Sequence, residues 1–184
     1  ANDNLTGKRV TTSDYASANY YYVNKSSLPK VYGGFNTSLS WKGFDLSAIF
    51  AYSIGGYIYN RDITMILHNG SLEGRDWSTE ILKRWTPENR YTDVPALSTT
   101  SNNWNSASTR FLQNNSYMRL KNLTLSYDLP KQWISKLALS SVQVFVQGDN
   151  LFTIHRNQGL DPEQGITGIT YYRYPAMRTI SGGI

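Results

Sequence analysis

The chain of 184 residues has no cysteine, and charged residues make up only 17% of it. Without cysteine there can be no disulfide, thiolate zinc site or thiol nucleophile. The charged fraction is below the roughly 25% of ordinary globular proteins. The longest uncharged, apolar-leaning stretch, residues 46–60, has 15 residues, whereas a membrane-spanning helix needs about 18 or more. The sequence therefore excludes a helical membrane span.

Uncharged polar and aromatic residues are abundant instead. Serine, threonine and asparagine total 52, and there are 14 tyrosines and 5 tryptophans. A chain rich in β-branched, aromatic and turn residues favours β-strands over helices. The formal net charge of +5 comes from scattered lysines and arginines, and without a basic run we predict no nucleic-acid partner. The composition predicts an all-β protein whose polarity is mostly uncharged.

The clearest strand pattern is a hairpin within residues 35–52. Apolar and polar residues alternate through residues 35–41 and again through residues 44–52, which is the two-residue period of a strand with two different faces. Lys42 and Gly43 lie between the two runs, and glycine supplies the positive φ that a two-residue turn requires. One face is predicted to carry Phe35, Thr37, Leu39, Trp41, Phe44, Leu46, Ala48, Phe50 and Tyr52.

Alternation returns in the second half of the chain. Residues 117–127 form a strand that Pro130 ends, residues 142–152 form the next, and residues 177–184 begin another. A single helical turn is expected around Trp133 and Ile134. Strict alternation places one set of side chains of the 117–127 strand on a common face, namely Arg119, Lys121, Leu123, Leu125 and Tyr127.

Short and long connections alternate between these strands. Residues 61–107 and 155–174 are long segments with little strand pattern, and the first contains a helical candidate at residues 77–85 with Asp76 or Ser78 as its cap. Short turns at one end and long loops at the other are typical of transmembrane β-barrels. A soluble β-sandwich remains an alternative, since its sheets also have one polar face.

Several motifs go beyond pattern. Residues 120–130, LKNLTLSYDLP, resemble the LRLKNLTLGYTLP segment of the SusC/RagA family, the TonB-dependent outer-membrane transporters of Bacteroidetes. Five further segments resemble motifs of that family in the same order along the chain. They are GG through WKGF at residues 33–44, RWTPEN and DVP within residues 84–95, VQGDNLF at residues 146–152, GLDPE at residues 159–163 and YPAMR at residues 174–178.

The resemblance implies a fold and a function. It implies about five antiparallel strands from the C-terminal part of a large transmembrane barrel of about 22 strands, with residues 61–107 and 155–174 as extracellular loops. The plug and the N-terminal regions would lie outside these residues. It further implies outer-membrane uptake of a large nutrient, a glycan or oligopeptide, beneath a SusD-like lipoprotein lid, with TonB acting through the plug and no cofactor. The outer-membrane lipid and the rest of the barrel would be the other neighbours.

Two rival interpretations stay open. One is a soluble β-sandwich that binds carbohydrate through its tryptophans. The other is a complete eight-stranded barrel, for which the pattern provides about three strands too few. The faces of the predicted strands discriminate between the first rival and a barrel wall, because a sandwich buries its apolar face and a barrel exposes it to lipid.

Catalytic and metal sites have little support in the sequence. His68 and His155 are the only histidines and have no ligand-spaced partners, and Asp161 and Glu163, which flank a proline, suit a turn better than an acid/base pair. We therefore predict no enzyme and no metal. The candidate ligand-binding residues are Trp77, Trp85 and Trp104 on the first loop, with Asn122 and Gln143 on polar strand faces. The competing interpretation is that the tryptophans pack the loop onto the barrel and that the polar residues contact water or the plug.

Overall fold

The computed structural model describes residues 14–70, 74–98, 103–135, 139–159, 161–163 and 165–184. The chain divides into two compact units. The sheet unit contains Ser26–Ile58, Gln113–Gly168 and Arg173–Ile184, and the loop unit contains Ala1–Lys25, Tyr59–Leu112 and Ile169–Tyr172.

Strands dominate the secondary structure. They are β1 (Val31–Trp41), β2 (Phe44–Ile54), β3 (Tyr57–Asn60), β4 (Leu112–Asn114), β5 (Tyr117–Asp128), β6 (Gln143–His155), β7 (Ile169–Thr170) and β8 (Thr179–Gly183). The α-helices are α1 (Arg61–Ile66) and α2 (Lys131–Ile134), and the 3₁₀ turns are Thr79–Lys83, Asn103–Asn105 and Thr109–Phe111. No helix among the described residues is long and apolar enough to span a membrane.

The sheet unit is built on five antiparallel strands in the order β1-β2-β5-β6-β8. This confirms the prediction of about five antiparallel strands. The predicted hairpin is confirmed as well, since Lys42 and Gly43 turn the chain with φ of 47° and 86° and Trp41 pairs with Phe44. Positive φ at both turn residues matches the twist of the flanking strands.

A bulge interrupts the middle of β5. The register of β5 shifts against β2 between Ile49 and Phe50, and it shifts against β6 between Leu120 and Asn122. Lys121 has no partner in either ladder as a result. Beyond the bulge, Arg119 lies opposite Ala51, on the face that also carries Asn122, and Leu120 lies opposite Phe50. The prediction that Arg119 shares a face with Leu123 was therefore wrong, because an inserted residue exchanges the two faces.

The two faces of the sheet have different chemistry. The side chains of the apolar face include Phe35, Leu39, Trp41, Phe44, Leu46, Ala48, Phe50, Tyr52, Leu120, Leu123, Leu125, Tyr127, Val144 and Val146, with Thr37 as a polar exception. The side chains of the polar face include Asn36, Ser38, Ser47, Arg119, Asn122, Thr124, Ser126, Gln147 and Asp149. Aromatic rings stack across strands on the apolar face, with centroids 4.7 Å apart for Phe35 and Phe50 and 4.3 Å apart for Phe44 and Tyr127.

Much of the apolar face is exposed. Leu39 is 67% exposed and Trp41 is 64% exposed, and Leu46, Leu125 and Val146 are exposed as well. A β-sandwich would bury such a face against a second sheet. The described residues thus do not form the predicted sandwich alternative.

The loop unit has a small core of its own. Ile63, Leu67 and Phe111 form the core, and Tyr59 packs against them. The Oδ1 atom of Asn60 caps α1 by accepting a hydrogen bond from the backbone N–H of Ile63 at 3.1 Å. Residues 61–107, predicted as a loop, therefore contain packed structure.

The helical candidate at residues 77–85 is shorter than predicted. Ser78 caps the 3₁₀ turn Thr79–Lys83 with a hydrogen bond of 3.3 Å from the N–H of Glu80. Trp85 lies beyond the turn because its backbone N–H donates to the carbonyl of Val94 at 2.8 Å. This long-range hydrogen bond replaces the helical bond that the local sequence favours.

Candidate functional site

The polar face of the sheet unit carries a continuous hydrogen-bond chain. The Nδ2 atom of Asn122 donates to Oδ1 of Asp149 at 2.8 Å, and the hydroxyl of Thr124 donates to Oδ1 of Asn122 at 2.9 Å. Nε2 of Gln147 donates to the same Asp149 carboxylate at 3.3 Å. Asn122, a predicted ligand residue, is thus held by its protein neighbours in one orientation.

Gln143 lies elsewhere on the sheet. Its Nε2 donates to Oδ1 of Asp128 at 3.0 Å, and its side chain is exposed. Asp128 is six residues along β5 from Asn122, and a strand rises about 3.3 Å per residue, so the two predicted ligand residues are about 20 Å apart. They cannot contact one small ligand group together.

A buried ion-pair cluster holds the segment that follows β6. Arg119 is 3% exposed, and its Nε donates to the hydroxyl of Thr153 at 3.0 Å. Nη1 of Arg119 bonds Oε2 of Glu163 at 2.9 Å, and Nη2 bonds Oδ1 of Asp161. The ammonium of Lys121 contacts Oε1 of Glu163 at 2.7 Å. We call Arg119, Lys121, Asp161 and Glu163 the loop clamp.

The two acidic residues of the clamp, Asp161 and Glu163, lie in a turn, as the sequence predicted. The N–H of Glu163 donates to Oδ1 of Asp161 at 2.9 Å across Pro162. Burial raises the pKa of Asp161, but hydrogen bonds from Arg119 and from the backbone N–H groups of Ala176 and Glu163 outweigh burial, so its pKa lies below the usual value. Asp161 is therefore ionised at neutral pH and pairs with a cation, which does not suit a general acid.

A cavity of about 300 Å³ lies in the same unit. Its walls come from the ends of β1, β2 and β5 and from the segment after the clamp, and Tyr32, Tyr52, Tyr57 and Tyr117 contribute to its lining. Asn115 also lines it, with Nδ2 donating to the carbonyl of Pro162 at 2.8 Å. The cavity is a concave surface that combines these tyrosines with small and aliphatic residues.

The three predicted tryptophans lie in the loop unit. Nε1 of Trp77 donates to Nδ1 of His68 at 3.0 Å, and the two rings meet edge to face at 5.2 Å. His68 is 1% exposed and so belongs to the packed interior. Nε1 of Trp104 donates to the carbonyl of Leu67. The indole N–H groups of Trp77 and Trp104 thus take part in the folding of the loop unit.

The outer surfaces of these rings differ. Trp77 and Trp85 are exposed, whereas Trp104 is half-buried. The guanidinium of Arg110 lies over the Trp104 ring, 3.4 Å from its centroid, a cation–π contact that covers that ring face. The indole of Trp85 is exposed, and its N–H takes no part in the hydrogen bonds described for Trp77 and Trp104. The candidates divide between the units, with the tryptophans in one and Asn122 and Gln143 in the other.

Sequence reasoning missed the clamp and the cavity. Arg119 was assigned to the wrong face, and neither Asn115 nor Tyr117 was named as a site residue. The sequence did hold one indication of the clamp. The basic pair Arg119 and Lys121 on a strand has a charge complementary to the acidic pair Asp161 and Glu163 in a turn. Among the described residues, no group of three or more metal-ligating side chains could hold a metal ion.

Comparisons with known proteins place this geometry in context. No family model matches the chain. The chain is 33% identical over 162 residues to TonB-dependent receptor P3 of Formosa agariphila, covering 82% of this chain and 16% of that protein. It is 27% identical over 164 residues to TonB-dependent receptor SusC of Bacteroides thetaiotaomicron, covering 89% of this chain and 16% of that protein. The chain therefore spans about a sixth of the length of these relatives.

Structural similarity extends over almost the whole chain. A solved structure of the RagAB peptide importer in the closed-closed state matches with a TM-score of 0.82 at 33% sequence identity. The match covers 99% of this chain and 20% of that chain. The described strands are thus similar to a section of a large TonB-dependent β-barrel.

Proposed function

The chain belongs to the SusC/RagA-like TonB-dependent transporters, and we propose that it forms a five-stranded section of barrel wall in the bacterial outer membrane. The observation that carries this proposal is the antiparallel sheet with large apolar side chains exposed on one face and polar side chains on the other. Exposed apolar area is unfavourable in water, whereas a barrel wall needs it toward lipid.

The ends of the strands give the orientation. Trp41, Phe44 and Tyr127 lie together beside the two-residue turn, and the join through α2 starts at the same end, where the N–H of Asp128 donates to the carbonyl of Gly43 at 2.8 Å. Aromatic rings collect at membrane interfaces, and short turns are periplasmic. We place this end in the periplasm, which makes residues 61–107 and 155–174 extracellular.

The edges of the sheet have a role in the same proposal. Within the described part of the chain, β1 and β8 each have a sheet partner on one side only. Within lipid an unpaired strand edge costs several kcal/mol for each backbone group left without a hydrogen bond. We therefore expect β1 and β8 to pair with further strands of the full-length barrel, which would also turn the polar face toward a water-filled lumen.

The cargo is proposed as a large nutrient, a glycan or an oligopeptide. One relative is a TonB-dependent receptor named SusC and one structural neighbour is a peptide importer, and the second name supports a peptide as one member of this class. In this proposal a SusD-like lipoprotein contacts the extracellular loops and TonB acts through the plug. Trp85 offers a stacking surface there, with Trp77 and Trp104 in the same loop unit. Asn122 and Gln143 would face solute in the lumen.

Localisation and uptake test the proposal in the native bacterium. The full-length protein should fractionate with the outer membrane, and deletion of its gene should abolish TonB-dependent uptake of one labelled glycan or oligopeptide. A monomer of these 184 residues that is stable in water without detergent would contradict the barrel-wall assignment, because its apolar face would then have to be buried.

A pull-down tests the lid. Deleting residues 61–107 and 155–174 together should abolish capture of a SusD-like lipoprotein of the same bacterium. A variant with the turn substitution Lys42→Asn, at the opposite end of the hairpin, serves as the control and should retain capture. Unchanged capture after the double deletion would mean that the lid binds elsewhere.

A further inference from the structure

We propose that Arg156, at the outer end of the apolar face, binds the phosphate of a lipopolysaccharide headgroup in the outer leaflet of the membrane. This inference deepens the proposed function and rests on it, because it uses the assignment of the apolar face to lipid and of this end of the strands to the extracellular side. It adds an anionic lipid partner to a surface that otherwise contacts only acyl chains.

Arg156 continues the row of apolar side chains on β6. Phe152 lies opposite Leu120 on the apolar face, and side chains two residues apart along a strand share a face. The pairing continues past the end of β6, because the N–H of Arg156 donates to the carbonyl of Ser116 at 3.3 Å. Arg156 therefore follows Phe152 and Ile154 on the same face of the sheet.

The apolar face carries no other charge along the described strands. In β1, β2, β5, β6 and β8, each side chain on this face is uncharged. A charge on the lipid face of a barrel is costly near the membrane midplane, and the cost falls toward the interface. The long stem of an arginine can lie on apolar surface while its guanidinium reaches the headgroups. A charge at the end of an apolar row is thus expected at the membrane boundary.

The depth of Arg156 agrees with this boundary. Ser53 and His155 lie at one level, since both pair with the same residue of β5, and Arg156 is one residue beyond, at the level of Ile54. The strand β2 has 11 residues from Phe44, beside the hairpin turn, to Ile54. At about 3.3 Å per residue and a tilt of about 40°, it spans about 25 Å, which equals the height of the apolar band of outer-membrane barrels.

The guanidinium of Arg156 is exposed and has no partner within the described ranges, where it takes part in no hydrogen bond, ion pair or ring contact. Lys42, at the hairpin turn, differs in this respect, because its ammonium lies 4.9 Å from the centroid of the Trp41 ring. The carboxylates of the loop clamp are paired with Arg119 and Lys121, so they do not compensate Arg156. Its charge calls for an anion from outside these residues.

The surroundings of Arg156 select a lipid that bears a phosphate. A guanidinium can donate two parallel hydrogen bonds to phosphate, and an anionic membrane surface attracts basic side chains. Ile54 and Ile154, beside it, are 52% and 64% exposed and offer apolar surface to acyl chains. Lipopolysaccharide has phosphates on the sugars directly above its acyl chains, so one molecule satisfies the charge and the apolar row together.

Lys30 adds a second cation at the same end of the sheet. Its N–H donates to the carbonyl of Ile54 at 2.8 Å, and its side chain is exposed. β1 and β6 are three positions apart in the strand order, which is about 14 Å at about 4.8 Å per strand. The outer end of the sheet therefore attracts anionic headgroups, and Arg156 makes the specific contact because it follows the apolar row.

Photo-crosslinking in vesicles tests the proposal. The full-length transporter, with a photoreactive benzoylphenylalanine in place of Ile154, is reconstituted into phosphatidylcholine vesicles that contain a small fraction of diphosphoryl lipid A. We expect an adduct with lipid A, and we expect Arg156→Gln to lower its yield about tenfold, as loss of a charge-assisted hydrogen bond does. Lipid A stripped of its phosphates should give the lower yield even when Arg156 is present.

Two further variants separate the contact from general effects. Arg156→Lys keeps the charge and loses the paired hydrogen bonds, so its yield should lie between those of the wild type and Arg156→Gln. Arg75→Gln removes an exposed arginine of the loop unit and is the matched control, with unchanged yield. The heat-induced shift of the barrel on electrophoresis reports folding. If Arg156→Gln fails to fold, Arg156→Lys and the phosphate-free lipid still decide the outcome.

Equal yields for the wild type and Arg156→Gln, or for lipid A with and without phosphate, would overturn the proposal while the transport function stands. The orientation on which it rests has its own test in the native bacterium. The probe in place of Ile154 should crosslink to lipopolysaccharide, and the same probe in place of Trp41, which is also 64% exposed, should crosslink to phospholipid. The reverse pattern would instead overturn the proposed orientation of the barrel wall.

Discussion

Arg119 is a buried cation whose position depends on two neighbours in the turn after β6. Its guanidinium shares hydrogen bonds among Asp161, Glu163 and Thr153. Both Arg119 and Asp161 have side chains under 10% exposed. Removing one partner of a buried ion pair leaves a charge without compensation, which is far more costly than losing an exposed pair.

The substitution Asp161→Asn should detach the segment after β6 from the sheet. We expect local stability to fall by about 3 kcal/mol, the lower end of the range for breaking a buried pair. Amide hydrogen exchange across residues 156–168 of the full-length protein measures this loss. Glu80→Gln is the control, because its pair with Lys83 is 3.8 Å long and exposed, and it should change stability by under about 0.5 kcal/mol. Equal effects of both substitutions would contradict the role of the clamp.

The same carboxylate predicts a dependence on pH. The pKa of Asp161 is lowered in the folded protein from an ordinary value of 3.8, so the folded state binds the proton more weakly than the unfolded state. Its stabilising contribution is thus complete above pH 3.8 and declines as the pH falls from there through the lowered pKa. Hydrogen exchange of residues 156–168 should be constant from neutral pH down to that value, after correction for intrinsic rates, and should accelerate below it. In Asp161→Asn this acid-dependent component should be absent.

Elements differ in how well the sequence predicts them. The β1–β2 hairpin was predictable because its signal is local, namely a two-residue period and a glycine at the turn. The bulge in β5 was not, because residues 117–127 alternate without interruption in the sequence and only pairing with β2 and β6 fixes the register. For the same reason the loop clamp was not predictable, since the bulge is what puts Arg119 on the polar face.

The packed structure of the loop unit was not predicted, for a related reason. Its core joins residues distant in sequence, such as Leu67 and Phe111, and local patterns do not report such contacts. The observed helical turn is shorter than predicted because the backbone N–H of Trp85 donates to the carbonyl of Val94. Among the candidate ligand residues, the strand positions of Asn122 and Gln143 were predictable, whereas the use of the Trp77 and Trp104 N–H groups depended on the tertiary fold.

Gly43 gives the hairpin turn a specific weakness. Its φ is 86°, and a Cβ atom there would lie 3.3 Å from both the Asp128 carbonyl oxygen and Cε2 of Tyr127. Gly43→Ala should therefore destabilise the barrel by about 1–2 kcal/mol, the cost of a left-handed conformation for a residue with a Cβ. Urea unfolding of the full-length protein in vesicles measures the change. Lys42→Gly should be neutral or slightly stabilising, because Lys42 also has positive φ, and a loss as large as that of Gly43→Ala would contradict the argument.

The whole sheet has an apolar face and a polar face, as a barrel wall between lipid and water requires. Leu125 lies on the apolar face between Leu46 and Val146, and Thr124 lies on the polar face between Ser47 and Gln147. The two residues are neighbours in sequence and have the same strand partners on both sides. If the apolar face contacts lipid and the polar face contacts water, one kind of substitution at these adjacent positions should have opposite consequences.

Leu125→Lys and Thr124→Lys test this asymmetry in the full-length transporter. A lysine on the lipid face of a barrel costs about 2–4 kcal/mol near the membrane midplane, so Leu125→Lys should lower folding stability in vesicles by an amount of this size and reduce the folded protein in the outer membrane. Thr124→Lys removes the hydrogen bond from the Thr124 hydroxyl to Asn122, which is worth about 1 kcal/mol. We expect no larger loss, since the ammonium stays hydrated in the lumen. Both variants add the same charge to the same strand, so net charge is matched. Equal losses would assign lipid to neither face, and a larger loss for Thr124→Lys would assign it to the polar face. Either result would contradict the proposed orientation of the barrel wall.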